Sequence, residues 1–492
     1  MAGCQLSDVR ELISRALHIY RGSPSLRDML GECEERTRQP LRIAFSGSLK
    51  AGKSTLLNAL VGEEIAPADA TECTKVVTWY RHSRVPGATA WHYADGTHRS
   101  SPVVLDRSGG DLTFGLGSLS ASEIDCIEVG WPSESLETTM LIDTPGTSSL
   151  SRDVSERTLR LLTPEQGPSE ADAVIYLLRT LNDADLRFLR EIGDRLGGNA
   201  GPLGIIGVLA RADEVGAGRT DALASARTIA DRFARELEST GLCQAVVPVS
   251  GLVALAARTL RESEFAALSQ LSRENPADLD LALLSADRFV RSPELSVSSE
   301  TRSALAHRFG VFGIRVAIGL LREGVDTATE LAAALLTESG VSELTEAIDV
   351  HIRQRAEQLK AHAALVSVQD ILARAPMQGS AELLSEVQRW LANDHDFEEL
   401  RVLARLRGVN SGSLAANARE LQRILGGTGT ASEVRLGAPA GSSREAIRKL
   451  ALDSVQRWRG LAQHPMNDPF AAAAYRSAAR SAEGILERTQ RG

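Results

Sequence analysis

The 492-residue chain is poor in lysine: of 55 basic residues only five are lysines, at positions 50, 53, 75, 360 and 449. Cysteine is as scarce. Cys4, Cys33, Cys73, Cys126 and Cys243 lie far apart with no C-x-x-C pair, which argues against a disulfide framework or a zinc site and suits a reducing cytosol. Aromatic residues are only 4% and net charge is −9, so the chain as a whole carries no electrostatic footprint for nucleic acid. No stretch approaches 18 uninterrupted apolar residues, which argues against a membrane-spanning helix. The N-terminus, charged at Asp8 and Arg10, has no apolar signal core. What is present, 43% hydrophobic and 24% charged residues, is a folded globular composition with room for two or three domains.

Residues 1–39 read as two short amphipathic helices. Val9, Leu12, Ile13, Ala16 and Tyr20 share one face of the first, with Ser7 placed to cap it, and Leu26, Met29, Leu30 and Cys33 share a face of the second. Neither helix can bury its face alone, so both must dock elsewhere. Residues 40–260 alternate apolar runs with helical patterns, the mark of a largely parallel α/β sheet. The expected strands are 41–45, 75–81, 124–131, 139–142, 173–178, 203–209 and 244–249, with a hairpin around Asp95-Gly96. Residues 261–492 read as all-helical and elongated. One helix is expected from Val341 to Ala375, about 50 Å long at ~1.5 Å per residue. Gly426–Ser443 reads as a flexible connector, and Ser442 with Glu445 as a capping box opening a final helix pair.

The two neighbouring lysines fall in Gly47-Ser48-Leu49-Lys50-Ala51-Gly52-Lys53-Ser54, a match to G-x-x-x-x-G-K-[ST] between a strand and the helical Thr55–Val61. The glycines let backbone N–H groups curl around phosphates, Lys53 reaches the β and γ oxygens, and the Ser54 hydroxyl ligates Mg²⁺. Asp143-Thr144-Pro145-Gly146 ends the next buried strand. Asp143 there is placed to hold Mg²⁺, and the Gly146 N–H to sense the γ-phosphate. A threonine that closes on Mg²⁺ and the γ-phosphate is expected between these motifs. Thr71 and Thr74 both qualify, and Thr74, next to a strand, is preferred. Lys53 and Thr74 are thus the expected catalytic groups, and Ser54, Thr74 and Asp143 the expected metal ligands.

A guanine reader places [NT]-K-x-D after a later strand. Asn182-Asp183-Ala184-Asp185 and Ala210-Arg211-Ala212-Asp213 both compete, and order along the chain favours Asp213. Arg211 replaces the usual lysine and can cover the base face with its planar guanidinium. Val249-Ser250-Gly251 then offers backbone N–H groups to guanine O6, which puts Ser250 at the site. GTP is favoured over ATP. Thr147 stands where a water-orienting glutamine would be, so slow hydrolysis is expected unless another group completes the site. No Ser-His-Asp, H-E-x-x-H or paired-carboxylate arrangement competes.

The stretches Leu41–Leu60, Ala66–Trp79, Ile142–Leu150, Gly204–Gly218 and Asn467–Phe470, with the N-terminal helices and the helical tail, resemble bacterial dynamin-like proteins. The resemblance implies a large GTPase using GTP and Mg²⁺, with Gly47–Thr55 as phosphate loop, Thr74 and Asp143–Gly146 as switches and Arg211–Asp213 as base reader. It implies a GTPase domain over 40–260 and a helical neck built from 1–39 and 261–492, with a reduced or absent trunk. It further implies pairing of the GTPase heads, with itself or a related dynamin, and remodelling or severing of membranes. The protein would sit in the cytoplasm, peripherally on the inner face of the plasma membrane, with no nucleic-acid partner. Phe309–Leu321 and the basic Arg405–Asn410 are candidate lipid contacts, although the first reads better as bundle core. A nucleotide-gated scaffold with little hydrolysis is the alternative, and an Era-type ribosome-linked GTPase a weaker one, since the helical tail is not basic.

Overall fold

The computed structural model describes residues 5–491 apart from 49, 68–75, 95–96, 108–111, 118, 147–157, 159–160, 163–169, 197–203, 239–242 and 407–413. Two helices, α1 (Leu6–Ile19) and α2 (Pro24–Arg36), lead into β1 (Leu41–Gly47) and α3 (Lys53–Val61). Next come β2 (Val77–His82), β3 (Gly87–Ala94), β4 (Thr97–Asp106), β5 (Thr113–Gly115), β6 (Ile124–Trp131), β7 (Thr139–Asp143) and β8 (Ala173–Leu178). Helix and strand then alternate through α4 (Asp183–Leu196), β9 (Ile205–Ala210), α5 (Ala222–Glu238) and β10 (Ala245–Val249). The remaining described elements are helical. They begin with α6 (Gly251–Arg258), α7 (Glu262–Ser272), α8 (Pro276–Ala282), α9 (Ala286–Arg291), α10 (Ser299–Arg322) and α11 (Ala328–Glu338). They continue with α12 (Val341–His351), α13 (Ala356–Arg374), α14 (Ser380–Asn393) and α15 (His395–Leu406). The last four are α16 (Ala418–Ile424), α17 (Ser432–Leu436), α18 (Arg444–Ala462) and α19 (Pro469–Arg491).

The strands form one sheet in the order β10-β9-β8-β1-β7-β2-β6-β3-β4-β5. From β10 to β7 all pairs are parallel. Beyond β7 the pairing becomes mixed: β2 is antiparallel to β7 and parallel to β6, and the β3–β4 hairpin is antiparallel. In the parallel half one face buries Ile43, Phe45, Ile175 and Val208 against Leu56 and Leu57 of α3 and Leu344 of α12. The other face buries Ala44, Ile142, Val174 and Tyr176 against Leu189 and Ile192 of α4. Burial on both faces is why these strands read as unbroken apolar runs.

The N-terminal helices find their partners more than 300 residues away. Val9, Ile13, Ala16 and Tyr20 are fully buried, in the same core as Leu365 and Val368 of α13 and Leu383 of α14. The Tyr20 hydroxyl donates to the Ala375 carbonyl at 2.6 Å, and Lys360 Nζ donates to the Gln39 carbonyl at 2.7 Å. Asp172, at the entrance to β8, accepts from the Arg42 backbone N–H at 2.9 Å and from the Arg36 guanidinium at 3.1 Å, tying α2 to the sheet.

Several local expectations differ from the structure. Gln5, not Ser7, caps α1, and its N–H donates to the Asp8 carboxylate at 3.2 Å. Ser443, not Ser442, caps α18 by accepting the Ala446 N–H at 3.2 Å, while the Ser442 hydroxyl donates to the Pro439 carbonyl. The helix expected over 341–375 is broken at Ile352 (φ −120°, ψ −61°) and passes through a 3₁₀ turn before α13 resumes. The break turns Arg355 inward, 2% exposed, to donate to the Leu425 carbonyl at 2.7 Å and to pair with Glu399. The expected connector 426–443 contains α17, whose Arg435 and Leu436 are buried. Arg435 reaches the same Glu399. A buried ion cluster therefore orders a segment whose composition alone suggests flexibility.

By length and composition α10 is apolar enough to cross a membrane, contrary to the expectation that no segment would be. Its surroundings are those of a core helix. Leu305, Phe309, Phe312, Ile314 and Ile318 are buried in a cluster shared with α5–α11. Three of its four arginines, Arg308, Arg315 and Arg322, recur every seven residues and cap the ends of neighbouring elements. Arg308 donates to the Thr259 carbonyl, Arg315 to the Gly218 and Leu283 carbonyls, and Arg322 to the Ser272 and Glu274 carbonyls. Positive groups at carbonyl-bearing helix ends are favourable by ~0.3–1 kcal/mol each.

Candidate nucleotide-binding site

β1 emerges between β7 and β8, and its last residue, Gly47, turns at φ +141°. A Cβ there would lie 2.3 Å from the Leu177 carbonyl oxygen, so the close approach of β8 requires glycine. Lys50 takes a left-handed conformation (φ 58°), and the Ala51 N–H closes the loop on the Ser48 carbonyl at 3.2 Å. Gly52 is the N-cap of α3. A helix leaves its first N–H groups without intrahelical partners, and in α3 these belong to Lys53, Ser54 and Thr55. Gly47, Ser48, Lys50, Ala51, Gly52, Lys53, Ser54 and Thr55 thus gather at a helix N-terminus; Leu49 lies outside the described residues.

Lys53 Nζ lies 3.4 Å from the Gly47 carbonyl and 3.3 Å from that of Ser48. Burial pushes its pKa down, opposed by the charge of Asp143. Asp143 ends β7, and its Oδ2 accepts the Ser54 hydroxyl at 2.7 Å. Burial pushes the Asp143 carboxyl up, while the Lys53 ammonium and the Ser54 hydrogen bond pull it back. Asp143 Oδ1 is buried and has no hydrogen-bond partner among the described residues. A buried carboxylate oxygen beside a serine hydroxyl is a hard-donor pair that fits Mg²⁺. Thr144 fixes the turn that follows: its N–H and hydroxyl both donate to the Phe45 carbonyl, at 3.2 and 2.8 Å. Gly146 is buried, and Thr147 lies outside the described residues. Thr71 and Thr74 lie outside the described residues.

The two base-reader candidates separate cleanly. Asn182 and Asp185 cap α4: Asn182 Oδ1 accepts the Ala184 and Asp185 N–H groups at 2.9 and 3.1 Å, and Asp185 accepts the Asn182 N–H and the Tyr176 hydroxyl. Asp213 instead sits just past β9, in a 3₁₀ segment over Ala212–Ala217. One solvent-open cleft is lined by Ala51, Gly52 and Thr55 of the phosphate loop and by Ala210, Arg211 and Asp213. Burial raises the Asp213 carboxyl, and a hydrogen bond from Ser250 lowers it. Arg211, at φ 54°, donates to Glu214 Oε1 at 2.5 Å, and Arg179 pairs with the other Glu214 oxygen at 3.1 Å. The Ser250 N–H, expected to face guanine O6, donates to the Ser339 carbonyl at 2.9 Å, and its hydroxyl accepts the Val253 N–H as the cap of α6. Ser250 is thus held by its own helix cap, and Val249 and Gly251 on either side of it line the cleft.

Three supporting residues escaped sequence reasoning. Glu214 holds Arg211, the Ser339 carbonyl holds Ser250, and buried Asn58 accepts the Ile65 and Ala66 N–H groups at 2.9 and 2.8 Å, fixing the start of the segment that carries Thr71 and Thr74. Glu214 is adjacent to the base motif and was open to inference. The other two act across folds of the chain that no local pattern encodes.

Fold and site together define a P-loop nucleotide-binding protein, and residues 43–211 match the model of the dynamin family. The chain is 49% identical over 490 residues to isoniazid-induced protein IniC of Mycobacterium tuberculosis, covering 97% of each chain. It belongs to the dynamin family, as a relative of IniC. A second M. tuberculosis protein, isoniazid-induced protein IniA, is 29% identical over 242 residues, 48% of this chain and 34% of that one. A solved oligomerised bacterial dynamin pair aligns with 99% of this chain and 74% of its own, at 14% identity and a TM-score of 0.33. Family membership implies guanine-nucleotide binding.

Proposed function

We propose that this chain is a Mg²⁺-dependent GTPase whose heads pair across their nucleotide faces and whose hydrolysis moves a helical neck against a membrane. The observation that carries the reading is the cluster of Lys53, Ser54 and Asp143 beside a phosphate loop whose Ala51, Gly52 and Thr55 line the same cleft as Asp213. Lys53 would neutralise the β and γ oxygens, and Ser54, Asp143 and Thr74 would hold Mg²⁺, which when bound draws charge from the phosphates. The P-loop N–H groups cradle the phosphates and Asp213 accepts from guanine N1 and N2. Thr147 supplies no glutamine-like amide to orient water, so a paired head is assigned the missing group.

In this reading α1, α2, α13 and α14 are the neck, and α15–α19, which share a separate apolar cluster, are a reduced trunk. With α10 engaged as core, lipid contact is assigned to the far end of that cluster. There the Arg405 guanidinium stacks on Phe470 at 4.1 Å and Met466 is 82% exposed; residues 407–410 lie outside the described residues. A second reading, a nucleotide-gated scaffold that hydrolyses little, is favoured by the Arg211–Glu214 pair, which draws the guanidinium away from a base-covering role.

The test is competition of GTP, ATP and XTP for bound fluorescent GDP, on the wild type and Asp213→Asn. The reading predicts that GTP wins in the wild type and that Asp213→Asn exchanges GTP affinity for XTP affinity. Equal competition by ATP and GTP in the wild type would overturn it.

A further inference from the structure

Arg315 of α10 lies outside every motif, yet it reaches the loop that carries Asp213. Its guanidinium donates to the Gly218 carbonyl at 2.8 Å and to the Leu283 carbonyl at 2.7 Å, so one side chain ties the end of the 212–217 segment to the end of α8. Gly218 is the residue where that segment stops, at φ +69°. A Cβ there would lie 3.6 Å from the Asp213 carbonyl oxygen and 3.7 Å from the Phe312 nitrogen, so the loop lies flat on α10 one turn before Arg315. Val215 of the same loop packs against the cluster that holds Phe309 and Phe312.

The same helix also braces the other half of the base end of the cleft. Gly313 lies against α6, where a Cβ would meet Val253 at 3.0 Å, and Gly310, where α10 kinks at φ 63°, faces Leu252. Ser250, close enough to Asp213 to pull its carboxyl pKa down, is the cap of α6. α10 thus touches both elements whose separation sets where the Asp213 carboxylate points.

We propose that Arg315 is a positioning residue for guanine selectivity, holding the Arg211–Gly218 loop so that the Asp213 carboxylate faces the two donors on the edge of the base. The proposal rests on the guanine-reading role of Asp213 argued above. Inosine nucleotides isolate it, because hypoxanthine keeps N1–H and O6 and lacks only the exocyclic 2-amino group that a correctly aimed carboxylate accepts. A site built to accept a donor discriminates strongly against the analogue without it, and a carboxylate that has swung away discriminates less.

The experiment compares GTP and ITP as competitors of bound fluorescent GDP on the full chain, for the wild type, Arg315→Met, Arg315→Lys and Asp213→Asn, with thermal midpoints recorded alongside. The GTP-to-ITP affinity ratio is expected to fall roughly fivefold in Arg315→Met, and about twofold in Arg315→Lys, which keeps the charge and one carbonyl contact. A merely structural role would lower the thermal midpoint and leave the ratio unchanged. If Arg315→Met does not fold, Arg315→Lys decides alone. A wild-type ratio in the folded Arg315 variants, with the ratio collapsed in Asp213→Asn, overturns the proposal while leaving the base reader intact. A wild-type ratio in Asp213→Asn overturns the base reader and the proposal with it.

Discussion

The Ser54 hydroxyl donates to Asp143 Oδ2 across 2.7 Å, joining the first turn of α3 to the end of β7 over 89 residues of sequence. Parallel pairing of β1 with β7, in register from Leu41 with Thr139 to Phe45 with Asp143, makes this meeting unavoidable. Both residues are hard oxygen donors. Removing either should be read first in the metal dependence of turnover. Ser54→Ala and Asp143→Asn are each expected to raise the Mg²⁺ concentration for half-maximal phosphate release roughly 10- to 100-fold. Unchanged Mg²⁺ dependence in both would mean that the metal is held elsewhere.

The first switch is testable by a pair of variants. Thr74→Ala should leave GTP affinity within about twofold and slow phosphate release by roughly a hundredfold, since its contacts form mainly as charge develops on the γ-phosphate. Binding and single-turnover assays separate the two effects. If Thr71→Ala gives that pattern and Thr74→Ala does not, the switch threonine is Thr71.

The ion cluster between α13 and the distal helices is expected to control stability, not nucleotide affinity. Glu399 is buried and bonded by Arg435, the Ser481 hydroxyl at 2.5 Å and His395 at 3.3 Å, with Arg355 at 3.7 Å. Glu399→Ala leaves two buried guanidinium groups without their carboxylate and should cost ~3–5 kcal/mol of unfolding free energy. Chemical denaturation checks this; a loss below ~1 kcal/mol would show that the cluster is solvated enough to carry little.

The same cluster sets a pH dependence. Burial opposes the His395 charge, but the neighbouring Glu398 and Glu399 carboxylates outweigh it and carry its pKa to about 9. A raised folded-state pKa contributes stability that is complete below the ordinary histidine value near ~6.5 and is lost as pH rises through about 9. Burial raises Glu399, but Arg435, His395 and Arg355 hold it at about 2, so its contribution is complete above ~4.5 and is lost as pH falls through about 2. Denaturation midpoints should therefore fall between pH 6.5 and 9, and His395→Gln should flatten that fall. An equal fall in the variant would place the titration elsewhere.

Much of the head was legible because its signals are local. The phosphate loop, the strand before it and Asp143 at the end of β7 each sit in a short segment with a single physical solution. The amphipathic faces of α1 and α2 announced that they need partners but not which ones, because Tyr20 and Ala375 meet only through the tertiary fold. The helix break at Ile352 was hidden for a related reason. Leu344, Ile348 and Ile352 keep helical spacing into the break, and the buried stripe of α13 resumes beyond it on Leu365, Val368 and Leu372, so the pattern shows no interruption. The break goes with Arg355 meeting Glu399 and the Leu425 carbonyl, long-range contacts that periodicity cannot report. Composition also misread 426–443, where buried Arg435 orders a segment rich in glycine, alanine and serine.

The central claim is that the chain hydrolyses GTP as an assembly of paired heads. Phosphate release from GTP and from ATP, measured across a protein-concentration series with Lys53→Ala as blank, tests it most directly. The account predicts GTP turnover whose specific activity rises with protein concentration and vanishes in Lys53→Ala, with little release from ATP. Specific activity that stays flat and slow across the series would contradict it and leave a nucleotide-gated scaffold.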